Sequence, residues 1–172
     1  MNKVYAWYPH DGNLGHASMD ISFGGGPGVA EYVSFWPKGL IDRHILVTGG
    51  GSTNYTYPQD VKAQGCDPHA TIEIDCLDEN KMRAFWLSHL PGARYSLLFK
   101  NCANFVCATL LEGGAAFCDA VNRFTGSHSL WTPYEVVTLA ELTADNSDVI
   151  KKQRILGQPE QPHMGYWRYM GR

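Results

Sequence analysis

The sequence has little that would attract nucleic acid or hold the chain in a membrane. Its 172 residues carry 14 basic against 17 acidic side chains, a net charge of −3, so no basic surface for phosphate is indicated. No apolar run approaches the ~20 residues that span a bilayer. The first eight residues, MNKVYAWY, lack the layout of a cleaved signal peptide and predict a strand. We expect a protein that is cytoplasmic in the producing cell, with secretion by a route without a cleaved signal left open.

Paired cysteines are also missing. The cysteines are five, an odd number, and none stands in a C-x-x-C spacing, which indicates neither a disulfide framework nor a zinc site. Free thiols fit a reducing cytoplasm. We therefore expect no metal and no cofactor, and we expect Cys107 to be a core residue. The five are Cys66, Cys76, Cys102, Cys107 and Cys118.

One cysteine stands in a context that favours reactivity. Cys102 follows Asn101, a residue type that caps helices, where an extended stretch over residues 95–99 changes to an apolar helical pattern. A thiol in the first turn of a helix lies near unpaired backbone N–H groups and the positive end of the dipole, and both favour the thiolate. The alternative is that Cys102 is a buried small hydrophobe, as most free cysteines are.

A candidate base lies upstream, in a segment that alternates between a polar and an apolar face and so predicts a strand. The polar face comprises His16, Ser18, Asp20 and Ser22, and the apolar face comprises Ala17, Met19, Ile21 and Phe23. A histidine on a polar, accessible face is either simply solvated or placed to act as a base. A second strand over residues 31–36 follows a glycine-rich turn at 24–28, so the two predict a hairpin.

These residues together resemble a known family. The order His-then-Cys and the run Asn101-Cys102-Ala103-Asn104-Phe105-Val106 are similar to the circularly permuted branch of the NlpC/P60 papain-like superfamily, which includes the lecithin:retinol acyltransferase-like proteins. Residues 15–21, with residues 32–37, resemble the histidine hairpin of bacterial effector and toxin domains of this superfamily. The resemblance covers about residues 1–115.

The resemblance implies roles for particular residues. Cys102 would be the nucleophile, His16 the general base, and a third residue on the strand paired with the histidine strand would hold the imidazole. We assign Ser34 to that place, provided that the hairpin register sets it opposite His16. Serine departs from the family pattern, where a His, Asn, Gln or acid is usual, so Asp20 and Glu31 stay as alternatives. The Cys102 backbone N–H would be one oxyanion donor.

The predicted fold class is α+β: a single papain-like domain over residues 1–172, in the permuted order, with an antiparallel sheet against helices. Strands are predicted over 3–8, 16–23, 31–36 and 70–76. Helices are predicted from the cap Asp78 to about residue 90, from Cys102 to Gly113-Gly114, and from the cap Thr132 to about residue 142.

Two other stretches are less regular. Residues 38–69 read as a long loop that would form part of a substrate wall, where His44 and His69 are alternative bases. The aromatic tail beyond residue 156 is expected to pack against the body, with partner docking as the alternative.

The predicted function is a cysteine-dependent amide hydrolase (a peptidase or amidase, with a peptide or cell-wall substrate) that acts through a thioester without a cofactor and is a bacterial secreted effector. Acyl transfer to lysine or lipid is the enzymatic alternative, and it would require an apolar acyl channel. A non-enzymatic binding module on an inactivated papain-like scaffold is the other. The substrate is a peptide or an acyl-containing molecule, and the resemblance to toxins leaves an immunity protein open as a partner.

Overall fold

A computed structural model describes residues 1–22, 30–38 and 50–156 of the protein. They form an α+β fold, which confirms the predicted class. The strands are β1 (Asn2–Trp7), β2 (His16–Ser22), β3 (Ala30–Ser34), β4 (Trp36–Pro37), β5 (Gly50–Thr53), β6 (Ala70–Ile74) and β7 (Arg94–Tyr95). The helices are α1 (Tyr57–Gln64), α2 (Glu79–His89), α3 (Cys102–Glu112), α4 (Asp119–Ser127), α5 (Pro133–Asp145) and α6 (Ser147–Leu156). The predictions for Phe23, the turn at 24–28, His44 and the aromatic tail lie outside the described residues.

The larger sheet holds the predicted hairpin. Its four strands run in the order β3-β2-β1-β6, and each neighbouring pair is antiparallel. The apolar face of β2 is wholly buried in the core, as the alternation predicted: Ala17, Met19 and Ile21 have no exposed surface. A smaller sheet, β4-β5-β7, joins the end of this hairpin to the segment that leads into α3.

Helix α3 lies at the centre of the molecule. Every residue from Cys102 to Leu111 is buried, because α2 and α5 pack on the helix together with β2 of the large sheet. Phe105 contacts Phe35 with ring centroids 4.2 Å apart, and Trp86 with centroids 5.6 Å apart. The predicted core role of Cys107 is confirmed, since it has no exposed surface. A nucleophile at the start of this helix would stand on the most rigid element available.

The caps of three helices match their sequence signals. Asn101 accepts the backbone N–H of Asn104, and the Asn104 side chain accepts that of Asn101 in return. Asp78 caps α2 by accepting the Lys81 N–H, and Thr132 with Glu135 forms the capping box of α5. Within the described residues, no helix has both the length and the hydropathy that a membrane crossing needs.

The segment 38–69 is not one long loop, and here the sequence prediction was wrong. It contains β5 and also α1, which begins after Thr56 and ends at Gly65, a glycine with φ of 79°. Helix α1 has no apolar stripe, since its buried residues are Asp60 and Gln64. Hydrophobic periodicity therefore could not reveal it. The helix buries polar side chains against the polar face of the hairpin, and so His16 and Ser18, expected on an accessible face, are buried.

The turn before β2 generates a prediction about stability. Gly15 has φ of +81°, and a Cβ there would lie 2.6 Å from the Trp7 carbonyl oxygen. Gly12 has φ of +80°, with nothing within 4 Å of an added Cβ. We expect Gly12→Ala to lower the free energy of unfolding by about 1–2 kcal/mol, the cost of a left-handed alanine. Gly15→Ala should lose about 1–3 kcal/mol more, because the methyl group is also overpacked. Urea unfolding of both variants measures this difference, and equal losses would contradict the clash.

Candidate active site

The site is organised around one buried carboxylate, Asp60, which has no exposed surface. It accepts four hydrogen bonds. Two of the donors lie in β3, and a third is the first residue of β4. Tyr32 Oη donates to Oδ2 at 2.7 Å, Ser34 Oγ to Oδ1 at 3.0 Å and Trp36 Nε1 to Oδ1 at 2.6 Å. The fourth partner is His16 Nε2, 3.1 Å from Oδ2.

These bonds offset the cost of burying a charge. Burial raises the pKa of the Asp60 carboxyl, but the bonds and charge of His16 and the hydroxyl and indole donors lower it more, so the pKa lies below its usual range. Asp60 is thus an anion in the interior. Tyr32, Ser34 and Trp36 stand at alternating positions of the chain, and all three side chains donate to this one carboxylate.

His16 is held by two aromatic contacts and at one nitrogen. Its ring lies near Trp36, with centroids 4.4 Å apart, and near Trp7, with centroids 5.7 Å apart. Nε2 faces both Asp60 and, at 3.3 Å, Ser34 Oγ. Because the Ser34 hydroxyl already donates to Asp60, Nε2 must carry a hydrogen and act as the donor. This fixes the tautomer of the neutral ring and leaves Nδ1 for a partner on the other side.

Cys102, the first residue of α3, lines the same cavity as His16, and the interaction between the two side chains shifts the pKa of both. Burial raises the pKa of the Cys102 thiol, but the charge and hydrogen bond of His16 and the backbone N–H groups of Ala17 and Ala103 lower it below its usual range. Burial correspondingly lowers the pKa of His16, and the Cys102 charge and the Asp60 carboxylate raise it to about 9. The lowered pKa of the thiol and the raised pKa of the imidazole both favour the thiolate–imidazolium form of the pair.

The hairpin register differs from the one that the assignment of Ser34 required. Ser34 pairs with Ser18, two residues beyond His16 along β2. Since side chains alternate with a period of two, Ser34 still lies on the face of His16 and reaches it diagonally. The structure thus brings Cys102, His16 and Ser34 together, and adds Asp60 as the charged group in contact with the imidazole.

The other candidates lie elsewhere. Asp20 accepts the Tyr5 hydroxyl at 2.8 Å, and Glu31 lies 3.6 Å from Arg83, so each of the two acids has a partner other than His16. His69 accepts the Tyr8 backbone N–H at its Nδ1 and does not line the cavity that holds Cys102.

A cavity of about 460 Å³ opens at the thiol, within the size range of small-molecule sites. Cys102 and His16 both line it. Apart from them the lining is mainly apolar and includes Leu14, Trp36, Pro37, Tyr95, Leu97, Leu98, Leu130 and Trp131. Leu14 and Leu130 are 56% and 50% exposed and add apolar surface at this cavity.

Sequence reasoning missed Asp60. The signals that could have found it were local: Thr56 followed by Gln59, whose side chain accepts the Thr56 backbone N–H, Pro58 in the first turn and Gly65 at the end. They mark a short helix. They do not say that its acid faces a histidine more than 40 residues away in the chain, which only the packing of α1 on the hairpin provides.

Comparison with known proteins places the chain in a family. The family model described as the IcsB middle domain, a bacterial effector domain, matches residues 53–156, more than half of the chain, and the protein belongs to this family. The matched residues include Asp60 and Cys102 but not His16 or Ser34. No solved structure matches the chain significantly.

Two curated toxins are also similar over part of the chain. The multifunctional-autoprocessing repeats-in-toxin proteins of Vibrio cholerae serotype O1 and of Vibrio vulnificus are each 36% identical over 72 residues. That region is 41% of this chain but only 2% and 1% of the two toxins. These findings support the expected relation to bacterial effectors and toxins.

The ion pair predicts an unusual pH profile for alkylation of Cys102. Because its pKa is lowered, reaction with iodoacetamide should persist to lower pH than that of an ordinary cysteine and fall only as the pH drops through that lowered pKa. As the pH rises through about 9, His16 loses its proton, and the freed thiolate should react faster in a second step. Intact-mass spectrometry measures the rates, and a single rise near pH 8.5, as for an unperturbed cysteine in a control peptide, would contradict the ion pair.

Proposed function

We propose that this domain is a cysteine-dependent acyltransferase that works through a thioester on Cys102. The observation that carries the proposal is that Cys102, whose thiol pKa is lowered, and His16, whose pKa is raised, line the same mainly apolar cavity. The same residues support membership of the permuted NlpC/P60 papain-like superfamily. A binding module on an inactivated scaffold is disfavoured, since such a module has no use for a buried ion pair, which costs free energy of desolvation.

The chemistry needs only groups that the chain supplies. The Cys102 thiolate attacks the carbonyl carbon of the acyl donor, and the Cys102 backbone N–H in the first turn of α3 stabilises the developing oxyanion. As the thioester forms, the bond to the leaving group breaks and His16 gives that group its proton. An acceptor amine or hydroxyl then attacks the thioester, His16 takes its proton, and the C–S bond breaks to return the thiolate.

The cavity is what favours acyl transfer over amide hydrolysis, the function that the sequence placed first. Acyl transfer requires an apolar channel next to the nucleophile, and leucines and tryptophans line this one. A peptide site would offer more polar groups to pair with the backbone of the substrate. We therefore propose a long-chain acyl group as the donated group. Amide hydrolysis is the second candidate, because water can resolve the same thioester.

Asp60 acts through His16 and is proposed as the positioning residue, with Ser34 in support. Loss of the charge in Asp60→Asn should slow thioester formation by at least about 100-fold, because the imidazolium loses its counter-ion. Ser34→Ala removes one neutral hydrogen bond and should cost about tenfold. Asp20→Asn is the matched control and should change the rate little. Single-turnover kinetics measure the ranking, and the pKa of His16 by NMR should fall in Asp60→Asn but not in Asp20→Asn.

Circular dichroism of the folded variants is the necessary control, because Asp60 also holds α1 in place. If Ser34→Ala is the more damaging change, or if Asp20→Asn falls by orders of magnitude, the assignment of Asp60 as the positioning residue is wrong.

The acyl group can be tested separately by chain length. Incubation with palmitoyl-CoA should add a hydroxylamine-sensitive acyl mass to the wild type and none to Cys102→Ala. Leu130→Glu places a charge in the cavity lining and should lower the rate with palmitoyl-CoA at least about tenfold while leaving acetyl-CoA nearly unaffected. Leu87→Glu, on α2 and 38% exposed but outside the cavity lining, is the control. An unlabelled Cys102 in a protein that cleaves peptides would favour the hydrolase.

A further inference from the structure

A second cluster of reactive side chains lies outside the candidate active site. It consists of His10, Cys66 and His69, and one ligand atom from each lies within 4.8 Å of the others. The three come from different parts of the chain: His10 from the connection between β1 and β2, Cys66 from just after α1, and His69 from just before β6. Only folding brings the three residues together, so a search of the sequence for C-x-x-C spacing does not find them.

The separations suit a tetrahedral zinc ion. His10 Nε2 lies 3.4 Å from Cys66 Sγ. Typical zinc–nitrogen and zinc–sulfur bond lengths at a tetrahedral angle place the two ligand atoms about 3.5 Å apart. Thiolate and imidazole are the ligands that zinc prefers, and an ion here would need little movement of these two residues.

His10 is held at both ring nitrogens. Its Nδ1 faces the Tyr8 carbonyl at 2.7 Å, while Nε2 faces the Gln64 carbonyl at 3.0 Å as well as the Cys66 sulfur. A neutral imidazole has one N–H and cannot donate to both carbonyls. If Nδ1–H donates to Tyr8, the Nε2 lone pair can accept the Cys66 S–H. A metal ion in place of that hydrogen would bind the same two atoms.

We propose that His10, Cys66 and His69 form a zinc site. His10 ligates through Nε2, since the Tyr8 carbonyl holds the hydrogen on Nδ1 as an outer partner commonly does for a zinc-bound histidine. His69 must exchange its bond from the Tyr8 N–H for the metal, and because His69 is exposed, water can take over that N–H. Water or the Gln64 carbonyl completes the four-coordinate shell.

The site would fix the end of the helix that carries Asp60. Cys66 directly follows Gly65, the residue that ends α1, and its carbonyl accepts the Trp7 indole N–H at 2.9 Å. The Trp7 ring in turn lies beside His16. A zinc ion at Cys66 would therefore tie α1 to β1 and to the turn that precedes His16, so we expect a structural rather than a catalytic metal.

Zinc titration of the full-length chain tests the proposal. The protein carries Cys102→Ala, so that the active-site thiol cannot bind metal, and has its affinity tag removed and its metals stripped with EDTA. Competition with a chromophoric chelator should show one zinc ion per chain, and cobalt(II) should give the intense visible bands of a tetrahedral site with a thiolate-to-metal charge-transfer band. Cys66→Ser, His10→Gln and His69→Gln should each weaken zinc binding on the order of 100-fold. His128→Gln and Cys118→Ala are the matched controls and should bind as the parent does.

A second measurement does not depend on the folding of the variants. With the three ligands intact, one equivalent of zinc should slow the alkylation of Cys66 at least about tenfold and raise the melting temperature, because the ion binds the native state. Substoichiometric zinc binding in the parent, equal affinity in the parent and in folded Cys66→Ser, or alkylation of Cys66 that zinc leaves unchanged would each overturn the site.

Discussion

The structure depends on the burial of one negative charge. Asp60 lies in the interior, and a carboxylate there costs several kcal/mol of desolvation unless every oxygen is paired. The four donors that reach it are Tyr32, Ser34, Trp36 and His16. These bonds help to fix how α1 lies on the hairpin, because its buried residues are polar and only Tyr57 adds aromatic packing there. They also fix the imidazole, since a histidine between a carboxylate and a thiol has one favourable orientation. The position of a helix and the geometry of the site are therefore set by the same interaction.

Because Cys102 and His16 are buried, their pKa values respond more strongly to neighbouring charges than those of an exposed pair would. Cys102 and His16 are 7% and 1% exposed, so their mutual charge is poorly screened. In this setting the Asp60 carboxylate favours the imidazolium, the imidazolium favours the thiolate, and two backbone N–H groups add to the second effect. Cys107 shows the contrast within the same helix: burial, with the negative charges of Glu135 and Cys102, raises the pKa of its thiol. Burial alone therefore does not lower the pKa of a cysteine here, whereas the charge of His16 lowers that of Cys102.

How much the sequence could predict follows from which interactions are local. The helix that begins at Cys102, the caps Asn101, Asp78 and Thr132, and the hairpin with its two faces were all predictable, because capping and alternation are written in adjacent residues. The choice of Ser34 rested on a register that the sequence does not encode. Ser34 still lies on the same face as His16 because the observed register differs from the assumed one by an even number of residues. Asp60 could not be predicted. Turn residues and a capping box mark its helix, but the helix buries polar residues, and a hydropathy pattern predicts such residues to be exposed. The cluster of His10, Cys66 and His69 was hidden for the same reason: its spacing in the chain is unrelated to its spacing in the fold.

Helix α1 connects the polar cluster around Asp60 with the cluster of His10, Cys66 and His69, and its composition indicates how it is held in place. The two buried residues of this eight-residue helix are polar, so its position depends on directional contacts there and at its ends, together with the packing of Tyr57 on Tyr5. Asp60 supplies such contacts in the middle, and the Cys66 carbonyl, held by the Trp7 indole, supplies one just beyond the end. A scaffold built only for stability would replace this buried charge by apolar residues at little or no cost. The Asp60 carboxylate instead contacts His16, the histidine beside Cys102, and in the proposed mechanism an anion there stabilises the imidazolium. The polar interior of this domain is therefore better explained by reactivity than by folding.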